Sequence, residues 1–165
     1  SGKGESFRRA VGEELVTCYK EVVELLIAND AKVNGKTDDD GYTPLMLAVI
    51  NNSFEMATIL LANGANVNVQ VKNVFEEIPI PQITPLFYSL VSNYEDIVWL
   101  LIENGADINL ITSDLTPLMF SLKFSPEFVR QLIYKGADIN VKNRLGKTAI
   151  DIAIECGGKL DWQSY

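Results

Sequence analysis

The 165-residue chain contains no histidine, the side chain that most often moves protons near neutral pH. Ser-His-Asp and Cys-His nucleophile arrangements are therefore excluded, and so are histidine zinc sites. The two cysteines, Cys18 and Cys156, sit in separate apolar, helix-like stretches. They read as buried thiols, since neither belongs to a C-x-x-C ligand pair. Asp38-Asp39-Asp40-Gly41 offers carboxylates for calcium. Placing Gly41 at the glycine position of a calcium loop, however, puts Lys36 first and Leu47 last, where carboxylates are needed. The run reads instead as a solvated loop tip. Gly157-Gly158-Lys159 is a fragment of a phosphate loop without the rest of its motif, and reads as a helix stop. Glu13-Glu14 and Glu76-Glu77 are adjacent surface carboxylates with no catalytic signal of their own. The sequence predicts no enzyme, no cofactor and no metal.

Composition narrows the remaining classes. Apolar residues make up 47% of the chain and charged residues 22%, which suits one soluble domain with an ample core. The net charge of −8 repels a polyanion, so nucleic acid is not the expected partner. No apolar run is long enough to span a bilayer, and no membrane association is expected. Residues 1–4 read as a tag scar and stay outside the fold. The few cysteines point to a reducing, cytoplasmic setting.

The elements that position these residues follow from self-comparison. Thr43-Pro44-Leu45, Thr84-Pro85-Leu86 and Thr116-Pro117-Leu118 recur, and Thr148-Ala149-Ile150 is a degraded fourth copy. A second marker follows each of the first three: Asn63-Gly64-Ala65-Asn66-Val67-Asn68, Asn104-Gly105-Ala106-Asp107-Ile108-Asn109 and Lys135-Gly136-Ala137-Asp138-Ile139-Asn140. An earlier version, Asn29 to Asn34, lacks the glycine. Threonine before proline starts a helix, because the hydroxyl accepts an orphan N–H and proline needs no donor in the first turn. Between the markers, apolar residues recur at helical spacing: Leu45, Ala48 and Val49, then Met56, Ile59 and Leu60. The glycine supplies the left-handed residue that ends the second helix. Each unit thus reads as helix, turn, helix, extended loop. Helices this short are unstable alone, so the units must stack to bury their stripes.

Gly41-Tyr42-Thr43-Pro44-Leu45-Met46-Leu47-Ala48 through Gly64-Ala65-Asn66-Val67-Asn68 resembles an ankyrin repeat nearly position by position. The resemblance covers about residues 14 to 156. It implies an all-α ankyrin-repeat solenoid of about five units, including divergent caps. The expected division is a capping repeat over 5–40, repeats over 41–82, 83–113 and 114–143, and a carboxyl-terminal cap over 144–165. The family's usual histidine after Thr-Pro-Leu is replaced by Met46, Phe87 and Met119, which exchanges a hydrogen bond for packing. Asp151, Glu155 and Lys159 stand where inner units are apolar, as a wet terminal face requires.

Two irregularities break the period. Thr43 and Thr84 lie 41 residues apart, whereas the next two spacings are 32. The excess falls in 71–82, an extended finger with two prolines and a run of apolar residues that includes Val74, Phe75, Ile78 and Ile80. Two readings stand: the finger folds back on its own repeats, or it presents an apolar ridge to a partner. In the next repeat but one, a residue is missing near Lys123-Phe124-Ser125-Pro126-Glu127, where Ser125 reads as the cap of a new helix.

The resemblance also implies a binding surface, since ankyrin proteins usually bind through finger tips and the exposed side of the first helices. Carried onto this sequence, that gives Asp39, Asp40, Tyr42, Ile50 and Asn51, then Ile80, Ile83 and Val91. Leu115, Lys123 and Phe124 follow, then Arg144, Leu145 and Lys147. Phe75 and Ile78 join them from the inserted finger. Residues 41–112 hold one cation, Lys72, against seven carboxylates. Lys135, Lys142, Arg144 and Lys147 gather near the last finger. A groove that is acidic in the middle and basic at its end would select a partner of matching polarity; ordinary solvated charge is the alternative. Some ankyrin proteins are hydroxylated on the asparagine that closes Asp-Val/Ile-Asn. Asn109 and Asn140 match that motif, with a structural turn role as the competing reading. The expected function is a monomeric adaptor or inhibitor that binds another protein. The alternative is a targeting or regulatory domain of a larger enzyme or multidomain protein.

Overall fold

A computed structural model describes residues 19–37, 41–72, 82–112 and 114–156. Asp39, Asp40, Phe75, Ile78, Ile80 and Cys18 lie outside the described residues.

The threonines act as the sequence predicts. Thr43 caps α2 (Pro44–Ile50), Thr84 caps α4 (Pro85–Val91) and Thr116 caps α6 (Pro117–Phe124). Each hydroxyl accepts the backbone N–H three residues on, from Met46 at 3.3 Å, Phe87 at 3.2 Å and Met119 at 3.2 Å. The second helices are α3 (Phe54–Ala62), α5 (Glu95–Glu103) and α7 (Val129–Tyr134). Before them, α1 covers residues 19–28. After them, Thr148 opens α8 (Ala149–Glu155). There Asp151 takes over the cap, accepting from the Thr148 N–H at 2.8 Å and donated to by its hydroxyl at 2.7 Å.

Paired helices pack within each unit, α2 on α3, α4 on α5 and α6 on α7. The units stack because first helices lie side by side, α2 by α4 by α6 by α8, with α3 beside α5 in the outer layer. Four small residues at one repeat position, Ala48, Ser89, Ser121 and Ala153, keep these inner helices close. Leu45, Met46, Phe87, Leu101, Met119 and Leu132 are wholly buried between units, each contributing roughly 1.5–3 kcal/mol. Phe87 meets Phe120 of the next unit edge-on, ring centres 5.3 Å apart. Met46, Phe87 and Met119 therefore do pack where the family places histidine.

The second helices end on left-handed glycines, Gly64, Gly105 and Gly136. Asp30 adopts the same conformation at φ 65°, so the early copy that lost its glycine keeps the turn at the cost of strain.

The asparagines that close the markers join one unit to the next. Asn34 Oδ1 accepts the N–H of Asn66 at 2.7 Å, Asn68 that of Asp107 at 2.8 Å, and Asn109 that of Asp138 at 2.8 Å. The amides of Asn34 and Asn68 also donate to the carbonyls of Gly64 and Gly105. Within each loop, Asn66, Asp107 and Asp138 accept the N–H two residues on, forming Asx turns.

The shortened repeat differs from its reading in sequence. Ser125 precedes a 3₁₀ turn, Pro126–Phe128, not an α-helix start, and its hydroxyl makes no cap bond. It donates instead to the Leu90 carbonyl of the previous unit at 2.9 Å. Buried there, the hydroxyl finds a neighbouring unit's carbonyl aligned with it, and that contact holds it.

Candidate protein-binding surface

The fingers are small hairpins rooted in the stack. Thr37 donates to the carbonyl of Tyr42, Thr112 pairs with Leu115, and Asn143 donates to the carbonyl of Lys147. The inserted finger has a true two-stranded root, β1 (Val71–Lys72) against β2 (Gln82–Ile83), with Val71 opposite Ile83. The fold is otherwise helical, so the all-α expectation holds with this local addition.

These roots correct two of the expected contact residues. Tyr42, Ile83, Leu115 and Lys147 all stand one position before the helix-capping threonine. That position turns inward under the finger. Ile83 is fully buried and pairs with buried Val71; Tyr42 is 9% exposed and belongs to the core. Neither can anchor a partner. Leu115 and Lys147 are half-buried, and Lys147 is ion-paired with Glu155.

Three of the other candidates share a repeat position. Ile50, Val91 and Lys123 occupy one repeat position near the ends of α2, α4 and α6, and stacking sets them in a row. Ile50 and Val91 are half-buried, whereas Asn51, Lys123 and Phe124 are exposed. The Phe124 ring lies 4.9 Å from that of Phe120, so its base is packed and its edge free. Arg144 and Leu145 form the last finger tip, Leu145 being 71% exposed. The tip is held in place because Asp114 accepts the Arg144 N–H at 2.6 Å. Leu47, exposed on α2, stands instead with Tyr19 and Val23 of α1 around a groove on the other flank of its helix.

The expected basic cluster is smaller than the sequence suggests. Lys135 ends α7 on the outer side and reaches Glu103 of α5 at 3.6 Å, away from the last finger. Lys147 is neutralised by Glu155. Lys142 and Arg144 are the exposed cations of that finger that have no ion pair among the described residues. Asp151, beside them, is held below the ordinary carboxylate range, first by the hydrogen bond from the Thr148 backbone, then by the Thr148 hydroxyl, and less by Lys142 and Lys147.

Asn109 is half-buried and spends its side-chain oxygen on the next unit. Asn140 is exposed. Among the described residues no three of histidine, cysteine, aspartate and glutamate gather as a metal site. No helix among them is long and apolar enough to cross a membrane.

Comparison with known proteins agrees with this geometry. Ankyrin repeats match residues 17–112 as three copies, and a further ankyrin repeat matches residues 113–144. An ankyrin repeat protein of Rickettsia bellii (strain RML369-C) is 40% identical over 55 residues, which is 32% of this chain and 8% of that protein. The B-cell lymphoma 3 protein homolog of Mus musculus is 42% identical over 55 residues, 33% of this chain and 12% of that protein. The matched stretch is thus a small part of either relative. Caps, stacking, turns and matches agree: the chain belongs to the ankyrin-repeat family, whose repeats form protein–protein interaction domains.

Proposed function

We propose that the protein is a non-catalytic scaffold, an adaptor or inhibitor, that holds a partner protein along its inner-helix edge and finger tips. The observation that carries this reading is the row of Ile50, Val91, Lys123 and Phe124, continued by Leu145 and Arg144 at the last finger. A partner-ready edge needs apolar anchors rimmed by charge, and a stack held by buried cores and asparagine bridges presents these with little ordering cost. The edge is apolar towards α2 and cationic towards the last finger. A complementary partner would place an apolar ridge against the first half and carboxylates against Lys123 and Arg144.

The test is a capture from the source organism's lysate with three baits, read by mass spectrometry. One is the protein itself, one carries K123E and L145E, and one has residues 73–81 replaced by a tight turn. A protein held by the first bait and lost from the second supports the edge. Loss from the third alone moves the site to the inserted finger. Equal retention by all three, or no specific retention, contradicts the reading. A second reading, an ankyrin domain serving a larger protein, is favoured by the small share of each relative that the match occupies. In that case the same edge would act on a neighbouring domain.

A further inference from the structure

The outer side of the stack carries a groove that the edge described above does not use. Asp96, Trp99, Leu100 and Glu103 follow one another at helical spacing and form a single stripe along α5. Phe54, at the start of α3, faces them across a groove of about 440 Å³. Phe54 is 42% exposed, and Trp99 and Leu100 are half-buried. Trp99 is fixed rather than free. Its ring lies 6.0 Å from Phe128, and its Nε1–H points to Glu95 Oε1 at 3.4 Å. The groove is therefore lined by two aromatic rings, one aliphatic side chain and two carboxylates.

Among the described residues no lysine or arginine lines this groove. The groove on the other flank of α5 shows what such a site does with one. There Trp99 and Glu103 are joined by Arg130, Tyr134 and Lys135, and Lys135 Nζ stands 3.6 Å from Glu103. One face of α5 thus already holds a cation of the chain itself. On the α3 side Asp96 has no ion pair among the described residues. The surrounding charge has the same sign: residues 41–112 contain seven carboxylates and only Lys72 as a cation.

We infer that the α3–α5 groove is a second docking site, independent of the inner edge, and that it takes an arginine-bearing segment of a partner protein. A guanidinium is planar, stacks on aromatic faces and is less strongly hydrated than an ammonium. Between Phe54 and Trp99 it would lie flat, with N–H groups within reach of Asp96 and Glu103. An anionic or purely apolar occupant would leave Asp96 unpaired against it.

The test uses the whole chain, labelled with ¹⁵N, and an acetylated, amidated hexa-arginine peptide as probe. The peptide is expected to move the Trp99 indole N–H and the amides of Asp96, Leu100 and Glu103. The double variant D96N/E103Q should weaken binding about fivefold or more, since it removes both carboxylates beside a stacked cation. A control, E21Q/E127Q, removes the same charge from exposed sites elsewhere and should leave affinity within about twofold. Equal weakening by both variants would reduce the effect to net charge and overturn the assignment. So would shifts confined to the inner edge, or equal shifts with a hexa-citrulline peptide. All four substitutions are at exposed positions, so folding is not at stake. The outcome does not depend on whether the inner edge binds a partner.

Discussion

Residues 105–109 and 136–140 are the same pentapeptide, Gly-Ala-Asp-Ile-Asn, yet the two copies do different work. In the first, Asn109 closes an Asx turn and also accepts the N–H of Asp138 in the next unit at 2.8 Å. In the second, Asn140 closes the same turn through Asp138 at 2.8 Å, and no hydrogen bond joins its side chain to a following unit among the described residues. The same contrast runs through the flanking helices. Leu118 and Leu122 of α6 are buried, whereas Ile150 and Ile154 at the equivalent positions of α8 are 68% and 70% exposed. A repeat motif fixes the local turn, and its contribution to stability depends on the neighbour it meets.

This contrast can be tested from its largest expected effect downward. Leu101→Ala removes a wholly buried side chain and should cost about 2–5 kcal/mol in urea unfolding. Ile154→Ala, on α8, should cost less than about 0.5 kcal/mol. A similar loss from both would show that α8 is packed as tightly as the inner helices. Asn109→Ala should lower stability by about 1 kcal/mol by stranding the Asp138 N–H, whereas Asn140→Ala should stay within about 0.5 kcal/mol. Equal costs would mean that the Asx turn, not the bridge, is what asparagine supplies.

Smaller effects sharpen the picture at the inner helices. Ser89 and Ser121 share a repeat position and are both fully buried. Ser89 Oγ donates to the Leu86 carbonyl at 2.8 Å, while Ser121 Oγ has no partner among the described residues. Ser89→Ala should cost about 0.5–1 kcal/mol, and Ser121→Ala should be neutral or stabilising, because it removes a buried polar atom with an unmet bond. Paired thermal melts would resolve the sign. The smallest expected effect concerns the cap of α8. In the folded protein the hydrogen bonds from Thr148 hold the Asp151 carboxyl below its ordinary carboxylate range. Its stabilising contribution is therefore complete above the ordinary carboxylate range and fades as pH falls through the lowered, folded value. The protection of the α8 amides, relative to their intrinsic exchange at each pH, should fall at acid pH in the protein and stay constant over that window in Asp151→Asn. Pre-existing fast exchange at neutral pH would show that the cap does not hold the helix.

Much of this was legible in the residues. Thr-Pro marks every inner helix start from Thr43 to Thr116, and glycine marks the ends of the second helices. The period places Met46, Phe87 and Met119 in one buried column. Tyr42 and Ile83 were misplaced because apolar residues in a loop look the same whether they face a partner or the finger's own root. Only the pairing of Val71 with Ile83 distinguishes the two. Ser125 was misread because serine before proline signals a cap locally, while the Leu90 carbonyl that captures it lies in another unit. Asn52 and Asn93 take left-handed conformations between their helices. The repeat that begins at Thr116 lacks that residue, and its 3₁₀ turn makes up the difference, which spacing alone could locate but not shape. The Trp99 groove has no motif to mark it, because Phe54 lies 42 or more positions from the α5 residues that complete it.

The most direct test of the protein-binding account is amide hydrogen exchange of the protein alone and bound to the partner captured from lysate. The account predicts new protection at the ends of α2, α4 and α6 and at the finger carrying Arg144 and Leu145, with α3 and α7 unchanged. Protection confined to the outer helices, or none anywhere in the stack, would contradict it.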